Sequence, residues 1–212
     1  ITSGGNYNTV VGDEAGTAIT TGDNNTAFGK SALATVTTAG DNTAVGNAAL
    51  RENTSGESNT AVGKSALITN TVANRNVAVG RNSLSAVNQA SALNTYNVAM
   101  GYDSGKAVTT GFENTLIGGF AGGALTDADY NLAVGYLALA NDTLGSKSTA
   151  IGRSALAAQN FTSATDTYNT AVGYAAGNLL TTGVENTLIG GQVGDALTDA
   201  DFNVAMGRLA LG

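Results

Sequence analysis

Cysteine, histidine, proline and tryptophan are all absent from the 212 residues, and each absence removes a class of structure or chemistry. Without cysteine there is no disulfide framework and no thiolate metal site. Without histidine the commonest general base and metal ligand is gone. Charged residues make up only 12% of the chain, and acids outnumber bases to give a net charge of -7. A nucleic-acid surface needs clustered Lys and Arg to displace counterions, so no nucleic-acid partner is expected. No apolar run is long enough to span a bilayer as a helix, so no membrane insertion is expected of this segment. There is no initiator Met, signal peptide or visible capping element, and residues 1–212 are expected to be one array cut from a longer protein. The lack of cysteine is compatible with an extracellular setting, because stacked repeats gain stability from their neighbours rather than from staples.

What is present is glycine, 29 residues of it, and a recurring phrase. "DNTAVGNAAL", "SNTAVGKSAL", "RNVAVGRNSL" and "KSTAIGRSAL" align on Gly46, Gly63, Gly80 and Gly152. The complete set is Gly12, Gly29, Gly46, Gly63, Gly80, Gly101, Gly118, Gly135, Gly152, Gly173, Gly190 and Gly207. Nine of the eleven intervals are 17 residues and two, Gly80 to Gly101 and Gly152 to Gly173, are 21. A longer period of 72 is written over the first: residues 97–139 recur at 169–211 with 28 of 43 positions identical, which points to duplication of a four-repeat block.

A period of 17 is shorter than the common helical and leucine-rich repeats. Each copy has a short run of β-formers ending in Gly, a second short run such as K-S-A-L, and a turn rich in Thr, Gly, Asp and Asn. Two short strands and two turns per copy predict an all-β chain, a parallel β-solenoid of twelve coils. The four extra residues of each long coil are expected to loop out around "SAVNQASALNTY" and "AAQNFTSATDTY".

Side chains alternate along a strand. The residue before the repeat Gly is always bulky and apolar, Val62 or Ile151 for example, and is expected to point into the coil together with Thr60 or Thr149 two places earlier. The residue between them then faces out. It is Ala27, Ala44, Ala61, Ala78, Ala99, Leu116, Ala133, Ala150, Ala171, Leu188 and Ala205, with Val10 in the first copy. Solvated strand positions normally carry polar residues, so this stripe is expected to form the contact with another copy of the chain. The opposite assignment puts the small Ala inside and the bulky residue against a neighbour. Either way an apolar face is left outside, and a homo-oligomer is expected. The Asn that opens the phrase, Asn25, Asn42 or Asn59 for example, is expected to form an amide ladder, and the repeat Gly to mark a positive φ or a tight corner.

"TAVGKSAL", "VAVGRNSL" and "TAIGRSAL" resemble the repeats in heads of trimeric autotransporter adhesins, and "TTGDNNTAFGKSAL" resembles equally the repeats of bacteriophage tail-fibre proteins. The resemblance covers essentially the whole chain. It implies a left-handed parallel β-roll, three copies side by side as a homotrimer on a cell or virion surface, and a role in adhesion or host recognition. The adhesin heads usually have shorter coils, which favours the fibre version. A host-cell receptor or glycan is the partner it implies.

Other chemistries are weaker. Asp127 with Asp129, and Asp199 with Asp201, are candidate calcium ligands, but the calcium-binding nonapeptide core is missing and solvated turns are the expected role. One place past the repeat Gly, Tyr102, Tyr136, Arg153, Tyr174 and Arg208 form a candidate binding patch. Ice binding would need a regular outward Thr row, whereas the strand Thr is expected inward and gives way to Val77, Val98, Leu132 and Val204. A carbohydrate-cleaving β-helix would need a carboxylate cluster in a cleft. No catalytic residue and no cofactor are expected.

Overall fold

A computed structural model describes residues 5–212. Among them there is no helix; the structure is built from short strands and turns. The chain divides into two compact units, Ile1–Asp103 and Ser104–Gly212. Each is a parallel β-solenoid of 17-residue coils with one long coil.

The first unit holds β1 (Thr9–Val11), β2 (Thr26–Phe28), β3 (Thr43–Val45), β4 (Thr60–Val62), β5 (Val77–Val79) and β6 (Val98–Met100). Each pairs in parallel with the next and in register, so that Thr43 lies beside Thr60, Ala44 beside Ala61 and Val45 beside Val62. The second unit holds β7 (Thr115–Ile117), β8 (Leu132–Val134), β9 (Gly145–Ser146), β10 (Thr149–Ile151), β11 (Thr165–Asp166), β12 (Thr170–Val172), β13 (Thr187–Ile189) and β14 (Val204–Met206). Here β7, β8, β10, β12, β13 and β14 pair in order, and β9 pairs with β11 in a second, two-stranded sheet. The extra residues of the long coils lie outside the ladder, with residues 91–94 and 162–164 exposed.

The strands are three residues long because both ends are fixed. On one side the repeat Gly takes φ between 114° and 144°. A Cβ on Gly63 would stand 2.6 Å from the carbonyl carbon and oxygen of Gly80 in the next coil, so the backbone passes too close for any side chain. On the other side the opening Asn is buried and stitches one coil to the next. In the first unit Oδ1 of Asn25, Asn42 and Asn59 accepts the backbone N–H of Asn42, Asn59 and Asn76 at 3.0–3.1 Å. The side-chain amides of Asn25, Asn42 and Asn59 donate to the carbonyls of Ala39, Gly56 and Ala73 at 2.9 Å. This is the amide ladder expected from the sequence.

In the second unit the ladder meets Ser148, which has no amide. The Gln159 side chain supplies one: its Nε2 donates to Ser148 Oγ at 2.8 Å and its Oε1 accepts from Asn169 Nδ2 at 2.9 Å. The same Nε2 donates to the buried Asp142 carboxylate, which also accepts the amides of Gly145 and Phe161.

The run after the Gly differs from the two-strand expectation. K-S-A-L and its equivalents are turns, because Ser65 and Leu67 both sit in the left-handed region, at φ 60° and 49°, and an extended strand admits neither. Leu67 still points inward and is fully buried, as are Leu33, Leu50, Leu84, Leu139 and Leu156. Each such Leu contributes about 1.5–3 kcal/mol of burial. Gly replaces this Leu at five positions, and at two of them, Gly122 and Gly194, the strand centre enlarges from Ala to Leu116 and Leu188, whose methyls occupy the vacated space 2.6–3.1 Å from where a Cβ would stand.

Candidate functional site

In the coils that carry the buried Leu, it faces a strand-centre Ala across the interior. The width of that interior decides which face of the strand is inside. Ala27, Ala44, Ala61, Ala78 and Ala99 in the first unit, and Leu116, Ala133, Ala150, Ala171 and Leu188 in the second, have no solvent exposure, and Ala205 has 6%. They pack inside their own chain, so the expectation that this stripe meets another copy is corrected: the bulky residue and the Thr on either side face out. Their exterior position is plain at Val11 (49% exposed), Phe28 (55%) and Met206 (75%), and the equivalents between are half-buried by their coil neighbours.

Each unit therefore presents a sheet face with two parallel rows. One is Thr26, Thr43, Thr60, Val77 and Val98 in the first unit; the other is Phe28, Val45, Val62, Val79 and Met100. The second unit repeats this with Thr115 and Ile117, Thr149 and Ile151, and Thr170 and Val172. No strand position on either face carries a charge.

The Tyr and Arg residues past the repeat Gly are exposed, and the structure joins them in pairs. Arg153 Nη1 donates to Tyr174 Oη at 3.2 Å, and its guanidinium lies 5.6 Å from the Tyr174 ring centroid and 5.8 Å from that of Tyr136. Tyr136 meets Phe120 edge to face at 6.1 Å. In the first unit Arg81 makes the same bond to Tyr102 at 2.9 Å, with its guanidinium 5.4 Å from the ring. Arg208 lies in the last coil and is exposed, outside these pairs.

Sequence reasoning missed a second row at the other end of the strands. Arg75 bonds Tyr96 Oη at 2.7 Å, and Lys147 bonds Tyr168 Oη at 3.1 Å, each cation also lying over its Tyr ring. Lys147 is further bonded to Asp166 at 2.6 Å, and that carboxylate with the Tyr168 hydroxyl pushes the ammonium above its usual range. The signal was a cation followed by Tyr 21 residues later, four times, each time across a long coil.

The aspartate pairs are engaged in hydrogen bonds of the turns. Asp129 Oδ1 accepts the amide of Phe112, Asp201 Oδ1 accepts that of Val184, and Asp127 accepts the Thr110 hydroxyl, so these three carboxylates tie turns in adjacent coils. Asp199 accepts from the neighbouring Thr198. Half-burial raises the Asp129 carboxyl above the usual carboxylate range, with Asp127, Glu113 and Asp166 adding to it and the Phe112 amide opposing. Among the described residues no group of three or more acidic side chains is placed to hold a metal, and no helix is long and apolar enough to cross a membrane.

What the fold and these surfaces define is a β-solenoid repeat protein with uncharged sheet faces edged by cation–tyrosine pairs. Compared with known proteins, the chain matches no protein-family model, no curated protein and no solved structure.

Proposed function

We propose that the chain is a non-enzymatic segment of a surface fibre, in which three copies, each a left-handed solenoid, pack their sheet faces together and serve attachment to a host cell or another surface. The observation that carries this reading is the outward row of Phe28, Val45, Val62, Val79 and Met100 and its counterpart in the second unit, apolar and without a single flanking charge on the strands. A monomer with that face in water would expose a continuous apolar patch of the kind that marks an interface. A second copy of the chain offers the same flat, uncharged surface, and closed symmetry lets like faces meet. The fibre repeats that the sequence resembles supply the number three and the extracellular or virion setting.

The test is native mass by light scattering. The chain weighs 21.0 kDa, and a mass near three times that value is expected. Changing Val45, Val62 and Val79 together to Glu places three charges on the outer row and is expected to give a folded monomer. Ala61→Glu, by contrast, puts a charge inside the coil and is expected to unfold it. Retention of the trimer by the triple Val variant would refute the face assignment.

A second reading is favoured by the outward Thr, which the sequence had placed inside. Thr26, Thr43 and Thr60 beside Val45 and Val62 make a flat, regular array of methyls and hydroxyls of the kind that binds an ordered surface such as ice. The row breaks at Val77 and Val98. A native monomer that shows thermal hysteresis selects this reading; a trimer buries the face and removes it.

A further inference from the structure

Both long coils carry the same frame. In the first unit "RNVAVGR" (residues 75–81) lies beside "YNVAMGY" (96–102), and in the second "KSTAIGR" (147–153) lies beside "YNTAVGY" (168–174). A cation thus stands at each end of one strand, and a Tyr at each end of the strand paired with it. Between the two copies of the duplicated block the segments joining these strands diverge, "SAVNQASALNT" against "AAQNFTSATDT", yet all four cation–Tyr pairs are kept, with Lys147 in place of Arg75. In the first unit the 17-residue coils hold Asn24, Asp41 and Ser58 at the position of Arg75, whereas in the second unit Tyr136, 17 residues before Arg153, adds a second ring beside that guanidinium.

Arg81 and Arg153 have no carboxylate partner among the described residues, although the chain carries 16 acids against 9 bases. Each guanidinium is instead held on a ring and by one bond to a phenol oxygen, and both Arg residues are exposed. In the second unit the Tyr174 phenol oxygen accepts from Arg153, so its own proton can be donated. Tyr102, Tyr136 and Tyr174 are 45–54% exposed. A planar donor fork for an anionic group, a hydroxyl donor and an aromatic surface for C–H faces are the three elements that a sugar bearing a carboxylate or sulfate requires.

We infer that the Arg81–Tyr102 and Tyr136–Arg153–Tyr174 clusters bind acidic saccharides. The inference rests on the attachment reading above and names the chemical class attached to. The guanidinium takes the carboxylate or sulfate, and the ring beside it takes the apolar face of the sugar. A ligand bound this way sits on rigid coils, so little ordering opposes binding.

The experiment is calorimetric titration of the chain of residues 1–212 with three probes of equal length: a heparin-derived tetrasaccharide, a tetragalacturonate and the neutral maltotetraose. The acidic probes are expected to bind and the neutral one not. The double variant Arg81→Gln, Arg153→Gln is expected to weaken acidic binding at least about tenfold, with circular dichroism and native mass unchanged. Arg81→Lys with Arg153→Lys, which keeps the charge and loses the fork, is expected to fall between. Equal binding of all three probes, binding by none, or full binding by the Gln variant overturns the inference. Binding by none together with a lowered Tm of Tyr102→Leu, Tyr174→Leu would assign the pairs to bracing the long coils. Native mass on the same samples separates the two claims: a monomer that still binds acidic probes loses the trimer and keeps this site, and a trimer that binds none loses this site alone.

Discussion

At the residue scale the fold depends on positions where no other side chain fits. Gly63 combines φ of 131° with a neighbouring coil whose carbonyl would lie 2.6 Å from any Cβ. The first term alone costs of order 1–3 kcal/mol for a non-glycine residue, and the second forces adjacent coils apart. Gly63→Ala is therefore expected to destabilise by about 3 kcal/mol or more, read as a lower urea midpoint. A midpoint within error of wild type would show that the coil spacing relaxes around a methyl group. Leu67 makes the opposite case: it holds φ of 49° without being glycine, and its buried side chain offsets the backbone strain. The recurrence of Gly63 and its equivalents was legible in the sequence. The left-handed Leu was not, since nothing in its residue type favours that conformation.

At the scale of the element, the turns between strands are held by carboxylates as well as amides, and this makes part of the stability depend on pH. Burial raises the folded-state carboxyl of Asp129 above its unfolded value of about 3.9. A raised carboxyl means that the folded state holds its proton more tightly, so this group favours folding most below the unfolded pKa. That contribution is lost as pH rises through the folded value, and it stays lost at neutrality. Asp129→Asn keeps an oxygen to accept the Phe112 amide, now at 2.9 Å, and removes the charge. It is expected to raise Tm at pH 7 and change it little at pH 3; a lower Tm at pH 7 would mean that the charged bond outweighs burial. The strands show the limit of reading such elements from sequence. The three-residue β-run, its period and the Asn before it were all readable. Which face of Thr60-Ala61-Val62 points inward was not, because both faces are apolar enough to be buried. The deciding quantity is the width between the strand and the opposing Leu67, a property of the closed coil that admits Ala and excludes Val. The K-S-A-L run read as a second strand for a related reason: nothing in the residue types of Ser65 and Leu67 marks the left-handed backbone that makes the run a turn.

At the scale of the whole molecule, composition and surface pull in opposite directions. Each chain carries a net charge of -7, so three copies brought together repel one another, and association has to come from the uncharged sheet faces. Salt then separates the two interactions proposed for this protein. Screening length falls from about 10 Å at 0.1 M to about 3 Å at 1 M. Higher salt weakens the repulsion between chains and strengthens apolar contact, whereas it weakens a guanidinium's hold on a sulfate or carboxylate. The expected outcome in 1 M sodium chloride is a trimer that persists to lower protein concentration, with a Tm that still rises with concentration as a folding-linked assembly requires, and a weaker affinity for the acidic tetrasaccharides. Sedimentation and titration on one preparation read both. Dissociation of the trimer by salt would mean that ion pairs between the chains, rather than the uncharged sheet faces, hold the copies together. The rows of Val, Phe and Met would then need another occupant.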